Sequence, residues 1–456
     1  MFHRILIANR GEVAVRIARS CDAMGIRPVF VCSTADRNAS YLNGREVVVL
    51  GPASAAQSYL DPLRLVQAAK QTHCSALHPG WGFLSESALL ASLCEAHGVT
   101  FVGPSATTLG RLGAKLKAKA TAQACGIPTI PGRATHLDAN ENLHALVDEL
   151  GLPLMIKANH GGGGRGMRVV REPQELAPAI QSARREAEAS FGDASIYVEA
   201  LIEKARHIEV QILADHEEQV VCLGERDCSI QRQHQKLIEE SPAPTLDDGQ
   251  RQQLVEFSRR LAQAVGYVGA GTVEFLVNQQ GEIFFMEMNA RLQVEHGVSE
   301  MCTSVDLVEQ QLRIAAHHPL PWSESLLPQQ GHALECRINA EDPQQGFRPS
   351  PGTLSTWQLP RLKDNPSATL RVDTHVHAGF QVSPHYDSLL CKLITHAADR
   401  DGACQAMQEA LRALHCEGVA TTRAFHQQVL SSDAFRQHAY TTESIPGWDV
   451  AAATKV

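Results

Sequence analysis

The sequence predicts an α/β fold in which strands and helices alternate at first and give way to a mixed α+β organisation. Three observations support this prediction. Short apolar runs alternate with helical periodicity before residue 113, a glycine run stands between two strand-like segments, and strands dominate from residue 197 to residue 223. At roughly 150 residues per domain, a chain of 456 residues is expected to form about three domains.

The first predicted domain, residues 1–113, begins with a strand, a turn and a helix. Ile5 to Ala8 is apolar, Gly11 interrupts the run, and Val13 and Ile17 keep a helix-like spacing. Further apolar runs alternate with helical stretches and stand at 28–33, 47–50, 76–77 and 100–102. This order is typical of an open sheet covered by helices.

Residues 114–330 are predicted as the second domain, 331–446 as the third and 447–456 as a tail. The second domain starts with a Lys- and Ala-rich helix that Gly126 and Pro128 break. Helical periodicity returns around Pro173 to Ser190 before the strand-rich stretch. The third domain alternates strand-like pieces with one helix near Gly402 to Leu414.

Composition and charge exclude two classes of function. The chain carries 41 Lys and Arg against 50 Asp and Glu, a net charge of −9, so it has no positive field to collect nucleic acid. No apolar stretch approaches the length of a membrane span, and the run Ile5 to Ile7 is too short for a signal peptide. Twelve cysteines without a Cys-x-x-Cys pair predict free buried thiols in a reducing, cytoplasmic environment.

A glycine run at 161–166 predicts a loop that folds over phosphates. Three of its glycines match G-x-G-x-x-G, but a dinucleotide-binding motif needs a helix directly afterwards, and 167–170 is strand-like. A Walker loop is excluded because no Lys-Ser or Lys-Thr follows the glycines. A glycine hairpin can offer backbone N–H groups to a triphosphate, with positive charge from Lys157 and Arg165. A surface loop without a ligand is the alternative.

Two carboxylates alternate with apolar residues on a predicted hairpin. Its strands flank a two-residue turn at 279–280. This register places Glu274 opposite Phe285 and diagonal to Glu287, on a face shared with Asn289. Converging oxygen ligands of this kind suit Mg²⁺ or Mn²⁺ that bridges nucleotide phosphates.

The alternation continues beyond the hairpin at every second residue. Period two places on one face the polar side chains of Glu287, Asn289, Arg291, Gln293 and Glu295. A guanidinium and an amide beside a metal-type carboxylate pair suit a small anion. Arg291 can fork onto planar bicarbonate, and Glu295 can remove its proton. A solvated edge strand and a surface Arg–Glu ion pair are the alternatives.

Two further polar clusters carry weaker signals. His207, Glu209 and Gln211 form the polar side of a strand at 206–213, as any half-exposed strand would show. The segment 231–236 is rich in donors and poor in carboxylates, which suits a phosphate or its leaving products. A solvated turn has the same composition.

Six motifs carry a resemblance to a known family. They are Ile7 to Glu12, His78 to Glu86, Lys157 to Met167, Glu225 to Ser229, Asn289 to His296 and Glu335 to Pro343. With these motifs in this order, the sequence resembles the biotin carboxylase family from about residue 3 to about residue 445. The resemblance implies the ATP-grasp fold, in which two α/β parts hold ATP between them, with a glycine-rich lid at about 131–203.

The resemblance also implies a reaction and its residues. MgATP phosphorylates bicarbonate, the carboxyphosphate yields CO₂, and carrier-linked biotin is carboxylated at its ureido nitrogen. The residues implied to contact ATP are Lys115, Lys157, Gly163, Gly164, Glu199, His207, Gln231, His234 and Leu276. Those implied to bind two Mg²⁺ or Mn²⁺ ions are Glu274, Glu287 and Asn289. For bicarbonate and biotin the resemblance implies Arg291, Gln293 and the Val294 backbone as anion binders, Glu295 as base, Lys236 at the phosphate and Arg337 at the biotin enolate.

The resemblance further implies partners. Such enzymes are commonly homodimers that serve a carboxyltransferase, for example in the acetyl-CoA carboxylase of fatty acid biosynthesis, through a biotin carboxyl carrier protein. We expect the carrier to be another chain, because none of the eight methionines is followed by the lysine of a Met-Lys biotinylation site. An ATP-grasp ligase for another carboxylate, a urea-carboxylase-like enzyme and a nucleotide-binding scaffold are the alternatives.

Four residues depart from the usual pattern of the family. Gly297 stands where Pro is usual, Trp81 where Tyr is frequent, and Asn159 and His160 where small residues precede the glycines. We expect Gly297 to loosen the turn beside Glu295 and to alter how that base is held. Asn159 and His160 are expected to slow or reshape closure of the lid.

Overall fold

The first part of the chain forms a parallel sheet with helices on both faces. The computed structural model describes residues 1–133, 143–159, 167–362 and 367–448. The strands of this sheet are β1 (Arg4–Ile7), β2 (Arg27–Ser33), β3 (Glu46–Gly51), β4 (Ala76–His78) and β5 (Thr100–Phe101), and the helices are α1 (Gly11–Ala23), α2 (Pro62–Gln71), α3 (Ala88–Ala96) and α4 (Ala106–Leu112). The strands pair in the order β3-β2-β1-β4-β5.

Burial on both faces of β1 explains why this sheet sits between helices. Ile5 and Ile7 pack on one side with Ile17 of α1, and Leu6 packs on the other side with Leu65 of α2. The strands and the first helix predicted from the apolar runs are therefore confirmed.

The loops that follow β1 and β4 meet at the carboxyl edge of the sheet. Asn9 donates from Nδ2 to the carbonyls of Pro79 and Trp81, each at 2.7 Å. Gly80 lies between these carbonyls at φ +67°, and a Cβ there would come within 3.0 Å of the Asn9 amide. The contact holds Trp81 at this edge, where open α/β sheets bind ligands.

A small antiparallel sheet follows a connecting helix. The helix is α5 (Lys115–Ala124), and the small unit contains α6 (Leu143–Leu150), β6 (Leu154–Ala158), β7 (Arg168–Val170), α7 (Leu176–Phe191) and β8 (Ile196–Ala200), with the strand order β7-β6-β8. Leu154 and Ile156 of β6 pack on α6 and α7 and give this unit its own core. The element after the glycine run is β7, a strand as predicted, which excludes a dinucleotide-binding helix at this point.

An eight-stranded antiparallel sheet forms the centre of the molecule. Its first strands and the accompanying helices are β9 (Arg206–Ala214), β10 (Val220–Arg232), β11 (Gln235–Ser241), α8 (Asp248–Ala264), β12 (Gly269–Val277), β13 (Ile283–Asn289), α9 (His296–Thr303) and α10 (Leu307–Ala315). The remaining elements are β14 (His332–Asn339), β15 (Glu341–Asp342), β16 (Arg348–Pro349), β17 (Gly352–Thr353), β18 (Thr356–Gln358), β19 (Thr369–Thr374), β20 (Gln381–Val382), β21 (Leu389–Ala397), α11 (Arg400–Ala413), β22 (His415–Glu417), α12 (Arg423–Ser431) and α13 (Asp433–Arg436).

The order β13-β12-β9-β10-β11-β14-β21-β19 joins the middle of the chain to its last third. The sheet crosses the boundary drawn from the sequence at residue 331, because β11 pairs with β14 between Ile238 and Cys336. The domain boundaries stay predictions. Within the described ranges, the structure has no helix long and apolar enough to cross a membrane.

The twelve cysteines all lie in the described part of the chain and are free, as predicted. Nine are buried, and Cys125, Cys404 and Cys416 are partly exposed. Burial raises the pKa of the Cys222 thiol to about 12, which suppresses its reactive thiolate at neutral pH.

We therefore expect an aromatic disulfide reagent to modify at most three thiols of the native protein quickly, and all twelve after unfolding in denaturant. The absorbance of the released aromatic thiolate measures the number of reactive thiols in the native and in the unfolded protein. Cys416→Ser should remove one fast thiol, whereas Cys222→Ser should leave the fast count unchanged. More than three fast thiols in the native protein would show that the described core is open.

Candidate active site

A cavity of about 430 Å³ lies where the central sheet meets the small sheet and the carboxyl edge of the parallel sheet. Trp81 of the parallel-sheet edge and Met167 of the small unit both line its wall. The candidate residues that line it are Lys115, Lys157, His207, Gln231, His234, Lys236, Glu274, Glu287, Asn289, Arg291, Gln293, Val294 and Arg337. The structure therefore brings most of the residues predicted from the sequence to one cavity.

Three of the described candidate residues stand apart from this wall. Glu295 is buried directly behind it, and Glu199 is buried on β8. Leu276 lies on β12, paired with Phe284 of β13. Gly163 and Gly164 lie outside the described residues, as does His160.

The two predicted metal-binding carboxylates face each other on neighbouring strands. Glu274 of β12 pairs directly with Glu287 of β13, and Phe275 pairs with Phe285. The predicted register, with Glu274 opposite Phe285, is wrong for two reasons. The turn spans more than two residues, since the Asn278 amide donates to the Glu282 carbonyl at 3.1 Å. A bulge then shifts the register between Glu274 and Phe275, which places the carboxylates opposite each other.

The polar alternation after β13 belongs to a loop, so the predicted strand to Glu295 is wrong. β13 ends at Asn289 because the next amide, of Ala290, donates to Glu86 Oε1 at 3.0 Å and leaves the sheet. α9 then begins at His296, with Glu295 as its N-cap residue. Sequence reasoning missed Glu86 as a site residue, although it ends one of the motifs that carry the family resemblance.

Hydrogen bonds nevertheless bring the side chains of this loop together. Arg291 donates from Nη2 to Asn289 Oδ1 and from Nη1 to Gln293 Oε1, each at 2.8 Å. Gln293 donates in turn from Nε2 to Glu274 Oε1 at 2.9 Å. Glu86 accepts from Arg291 Nε at 3.0 Å and holds the guanidinium against the loop. The predicted convergence of a guanidinium, an amide and metal-type oxygens is thus present in the structure.

One buried ammonium joins three carboxylates at the floor of the cavity. Lys236 donates from Nζ to Glu209 Oε2 at 2.5 Å, to Glu295 Oε1 at 2.7 Å and to Glu274 Oε1 at 2.9 Å. Burial alone would lower the pKa of Lys236, but the three carboxylates raise it well above the ordinary value of a lysine. Lys236 is therefore charged at every physiological pH.

The same contacts act on the carboxylates. Burial would raise the pKa of Glu274, but Lys236 and His207 hold it well below the ordinary value. Burial would likewise raise the pKa of Glu295, but Lys236 and Arg337 hold it well below the ordinary value. Both groups are therefore ionised in the structure at neutral pH.

Glu209 is fully buried, so the half-exposed strand considered for its segment is wrong. β9 lies between β10 and β12 in the interior of the sheet, and His207 and Gln211 are buried with Glu209. Arg226 supplies the missing charge from β10: it donates from Nε to Glu209 Oε1 at 2.6 Å and from Nη1 to Gln211 Oε1 at 2.8 Å. Arg226 belongs to one of the motifs that carry the family resemblance, but the sequence did not predict that it pairs with Glu209.

Arg337 spans two carboxylates at the far side of the cavity. It donates from Nη2 to Glu295 Oε2 at 2.8 Å and from Nε to Glu239 Oε1 at 2.6 Å. Burial raises the pKa of Glu239 to about 7 even beside Arg337. Glu239 was not identified from the sequence. The next residue, Glu240, is also a glutamate, but it binds Arg400 on the other side of the sheet.

Cations and donors gather at the end of the cavity near the small sheet. Lys115 pairs with Glu287, and Lys157 pairs with Glu199, which also accepts from Lys119 Nζ at 3.2 Å. The predicted ATP contact Glu199 thus lies behind Lys157 and holds it. Asn159 accepts the Leu116 amide on its Oδ1 at 3.2 Å and so caps the start of α5.

Two further donors face this end of the cavity. Gln231 shares a hydrogen bond of 2.8 Å with His207 Nδ1 and donates to the Cys228 carbonyl at 2.7 Å. His234 lies in the turn between β10 and β11 at φ +62°. Burial lowers the pKa of His234, which keeps its ring neutral at pH 7.

Gly297 does not loosen the turn beside Glu295, contrary to the expectation from the sequence. It is the second residue of α9 and is buried, and a Cβ at this position would overlap Ile394 Cδ1 of β21. The absence of a side chain therefore allows close packing of α9 on β21.

The donor set of the cavity fits a divalent metal ion. Glu274 and Glu287 present carboxylate oxygens from opposite positions of two paired strands, and Asn289 adds an amide oxygen on the same side. Oxygen ligands of these types suit Mg²⁺ or Mn²⁺. The nearby ammonium groups of Lys115 and Lys236 occupy these oxygens in the structure.

Three family models match consecutive parts of the chain. Residues 1–109 match the N-terminal domain of biotin carboxylase, and residues 335–446 match the biotin carboxylase C-terminal domain. Residues 114–323 match the ATP-binding domain of the carbamoyl-phosphate synthase L chain.

Curated relatives and solved structures match almost the whole chain. The biotin carboxylase of Nostoc sp. is 46% identical over 445 residues, which are 97% of this chain and 98% of that protein. The complex of Campylobacter jejuni biotin carboxylase with β-γ-ATP superposes with a TM-score of 0.93 at 42% identity, over 97% of this chain and 98% of that chain.

The second solved structure is the biotin carboxylase domain dimer of the 2-oxoglutarate carboxylase of Hydrogenobacter thermophilus, in complex with MgADP, ADP and bicarbonate. It superposes with a TM-score of 0.93 at 38% identity, over 97% of each chain. These similarities confirm the predicted α/β fold of the ATP-grasp type.

The contacts of Lys236 predict a pH-dependent loss of stability in Lys236→Met. The variant leaves buried carboxylates without their cation, which costs about 3 kcal/mol or more of unfolding free energy near pH 7. Glu274 and Glu295 have depressed pKa values, so their contribution is present above the ordinary glutamate pKa of about 4.3 and is lost as the pH falls through their folded pKa. The difference between variant and wild type should therefore narrow below about pH 4.3.

Urea unfolding at neutral and acidic pH measures this difference. Lys119→Met is the matched control. This variant should lose less stability, because Glu199 keeps Lys157 as a partner. An equal loss in Lys236→Met at both pH values would contradict the electrostatic role of Lys236.

Proposed function

The chain belongs to the biotin carboxylase family, and from this premise we propose that it carboxylates biotin with bicarbonate at the expense of ATP. Bicarbonate is phosphorylated by MgATP, the carboxyphosphate yields CO₂, and biotin takes up the CO₂ at its ureido nitrogen. One observation carries the proposal. A metal-type carboxylate pair, an Arg–Gln loop, an ionised glutamate and a second arginine all converge at one cavity.

Glu274, Glu287 and Asn289 would hold the two Mg²⁺ or Mn²⁺ ions that accompany ATP. When bound, these ions neutralise phosphate charge and orient the transferred group. With the ions bound, Lys115 and Lys236, which pair with these carboxylates in the structure, would be free to contact phosphate oxygens. Lys157 adds a third cation at the same end of the cavity.

The nucleotide site is supported by the remaining polar donors. His207, Gln231 and His234 line the cavity beside Lys157, and Glu199 holds that lysine in place. We assign Leu276 to the same site because it is the Cα partner of His207 between β12 and β9. Gly163 and Gly164 stay proposals from the sequence for the loop that covers the phosphates.

Arg291 and Gln293 supply the bicarbonate site, with the backbone of Val294 between Gln293 and the base. Arg291 presents a guanidinium that Glu86 and Asn289 already orient. The guanidinium can donate two parallel hydrogen bonds to a planar anion, which the ammonium of a lysine cannot do. The negative charge of bicarbonate would also lie near two cations, Arg291 of this loop and Lys236.

Glu295 is the proposed base, because it is ionised and lies next to this anion site. Lys236 and Arg337 lower its basicity in the structure. When Lys236 turns to phosphate and Arg337 turns to biotin, the pKa of Glu295 rises and proton uptake from bicarbonate becomes favourable. Arg337 can then stabilise negative charge on the ureido oxygen of the biotin enolate.

The partners proposed for the chain are a biotin carboxyl carrier protein and a carboxyltransferase. A separate carrier is supported by the match to the Nostoc sp. biotin carboxylase over 98% of the length of that protein. A homodimer is supported by the dimer of the Hydrogenobacter domain. That enzyme is a 2-oxoglutarate carboxylase, so the final acceptor is not restricted to acetyl-CoA. Twelve free thiols favour the reducing cytoplasm.

Arg337→Ala tests the biotin half of the proposal. We expect carboxybiotin formation from labelled bicarbonate, MgATP and free biotin to fall about 100-fold or more, because charge on the enolate loses its cation. Bicarbonate-dependent ADP formation without biotin should persist.

Arg400→Ala is the matched control. Arg400 pairs with Glu240, which lies on β11 next to Glu239, the partner of Arg337, and Arg400 is not part of the cavity wall. This variant should keep the wild-type rate of carboxylation. If Arg337→Ala kept that rate as well, the assignment of Arg337 to biotin would be wrong. An ATP-grasp ligase for another carboxylate would then be the better description.

Glu295→Gln tests the base. The amide keeps the shape of the side chain and cannot take a proton, so turnover should fall about 100-fold or more while ATP binding is retained. Calorimetric titration with ATP and steady-state ADP formation measure the two quantities. Glu300→Gln, which changes a buried carboxylate of α9 paired with Arg16 of α1, should lower stability but keep turnover. Normal turnover in Glu295→Gln would remove Glu295 from the mechanism.

A further inference from the structure

A fully buried lysine from the last third of the chain reaches the back of the proposed bicarbonate site. Lys392 lies on β21, and its Nζ donates to the main-chain carbonyl of Val294 at 2.8 Å. Val294 lies in the loop between β13 and α9, which pairs with no strand among the described residues. The orientation of this peptide is therefore set by the hydrogen bond from the His296 amide to the Gln293 carbonyl and by side-chain contacts.

Two carboxylates and an indole fix Lys392 in turn. Glu12 of α1 lies 3.5 Å from Nζ, and Asp373 of β19 lies 3.6 Å from it. Trp81 donates from Nε1 to Glu12 Oε1 at 3.2 Å, and its ring forms part of the cavity wall. A continuous path of contacts thus runs from the cavity wall at Trp81 through Glu12 and Lys392 to the Val294 carbonyl.

The charge of Lys392 is retained in this environment. Burial would lower the pKa of Lys392, but Glu12, Glu335 and Asp373 raise it above the ordinary value of a lysine. An ammonium donor forms a stronger hydrogen bond to a carbonyl than a neutral donor does. The carbonyl of Val294 is therefore held firmly by a buried ammonium that is not part of the cavity wall.

The bound carbonyl lies between the two side chains that matter most in this loop. Gln293 precedes Val294 and contacts both Arg291 and Glu274, and Glu295 follows it and contacts Lys236. Rotation of the peptide after Val294 would swing these two side chains apart. A contact that prevents this rotation sets the distance between the anion binder and the base.

We propose that Lys392 is a positioning residue for bicarbonate, which acts through the Val294 carbonyl and is held in place by Glu12 and Trp81. The inference rests on the proposed function of the loop as the bicarbonate site. Lys392 itself lies behind the loop and contacts neither the proposed metal ligands nor the proposed nucleotide site in the described structure.

Lys392→Met tests the proposal, because methionine fills a similar volume and removes the donor. We expect the KM for bicarbonate to rise about tenfold or more, because loss of a residue that orients a binding group weakens binding by about this factor. The KM for MgATP should change little. Initial rates of ADP formation over a series of bicarbonate concentrations measure the first constant. The same rates over a series of MgATP concentrations measure the second.

Arg16→Met is the matched control. Arg16 is buried on α1 like Glu12 and pairs with Glu300 at 2.7 Å, but it makes no contact with the 290–295 loop among its described partners. The variant should lower the thermal midpoint of unfolding and leave the KM for bicarbonate at the wild-type value. A purely structural role of Lys392 would give both variants this same result.

Two further variants keep the test decisive if Lys392→Met folds poorly. Glu12→Gln combined with Lys392→Met removes one buried charge of each sign and should restore folding without restoring the KM for bicarbonate. Trp81→Phe keeps a ring at the cavity wall and removes the N–H donor, and should raise the same constant by a smaller factor.

The outcomes separate this inference from the proposed function. If ADP formation by the wild-type protein is indifferent to bicarbonate, the proposed function fails. If the wild type depends on bicarbonate but Lys392→Met or its Glu12→Gln double variant leaves the KM for bicarbonate unchanged, the positioning role of Lys392 is wrong and the proposed function stands.

Discussion

The buried ammonium of Lys236 is the interaction on which the site depends. Three carboxylates approach one another in the interior of a sheet, where their mutual repulsion would unfold an uncompensated site. Lys236 and Arg226 balance this charge, since both form ion pairs with Glu209. The same ammonium keeps Glu274 and Glu295 ionised, so one contact serves both the stability of the sheet and the readiness of the site.

The fold explains why such a concentration of charge is possible. β9, β10, β11 and β12 lie inside an eight-stranded sheet, so the polar side chains on one face are fixed by neighbouring strands. The parallel sheet contributes Glu86 and Trp81 from its carboxyl edge, and β14 contributes Arg337 from the last third of the chain. The site therefore forms only when all three parts of the chain have assembled.

The sequence predicted the alternation of elements, the strand after the glycine run and the convergence of Glu274 and Glu287. It gave the wrong register, because the bulge that aligns these carboxylates has no signature in the pattern of apolar residues. It also left the burial of Glu209 open, since a bulge between Cys222 and Glu225 sets the register that pairs Arg226 with Glu209. Roles in biotin chemistry came from family resemblance, because spacing alone cannot reveal which substrate an arginine faces.

The central claim is that this cavity couples ATP cleavage to bicarbonate and biotin. Phosphate release from MgATP by the purified chain, measured without additions, with bicarbonate, and with bicarbonate plus free biotin, tests it most directly. We expect phosphate release that requires bicarbonate and that biotin accelerates. Release that is indifferent to both compounds would contradict it.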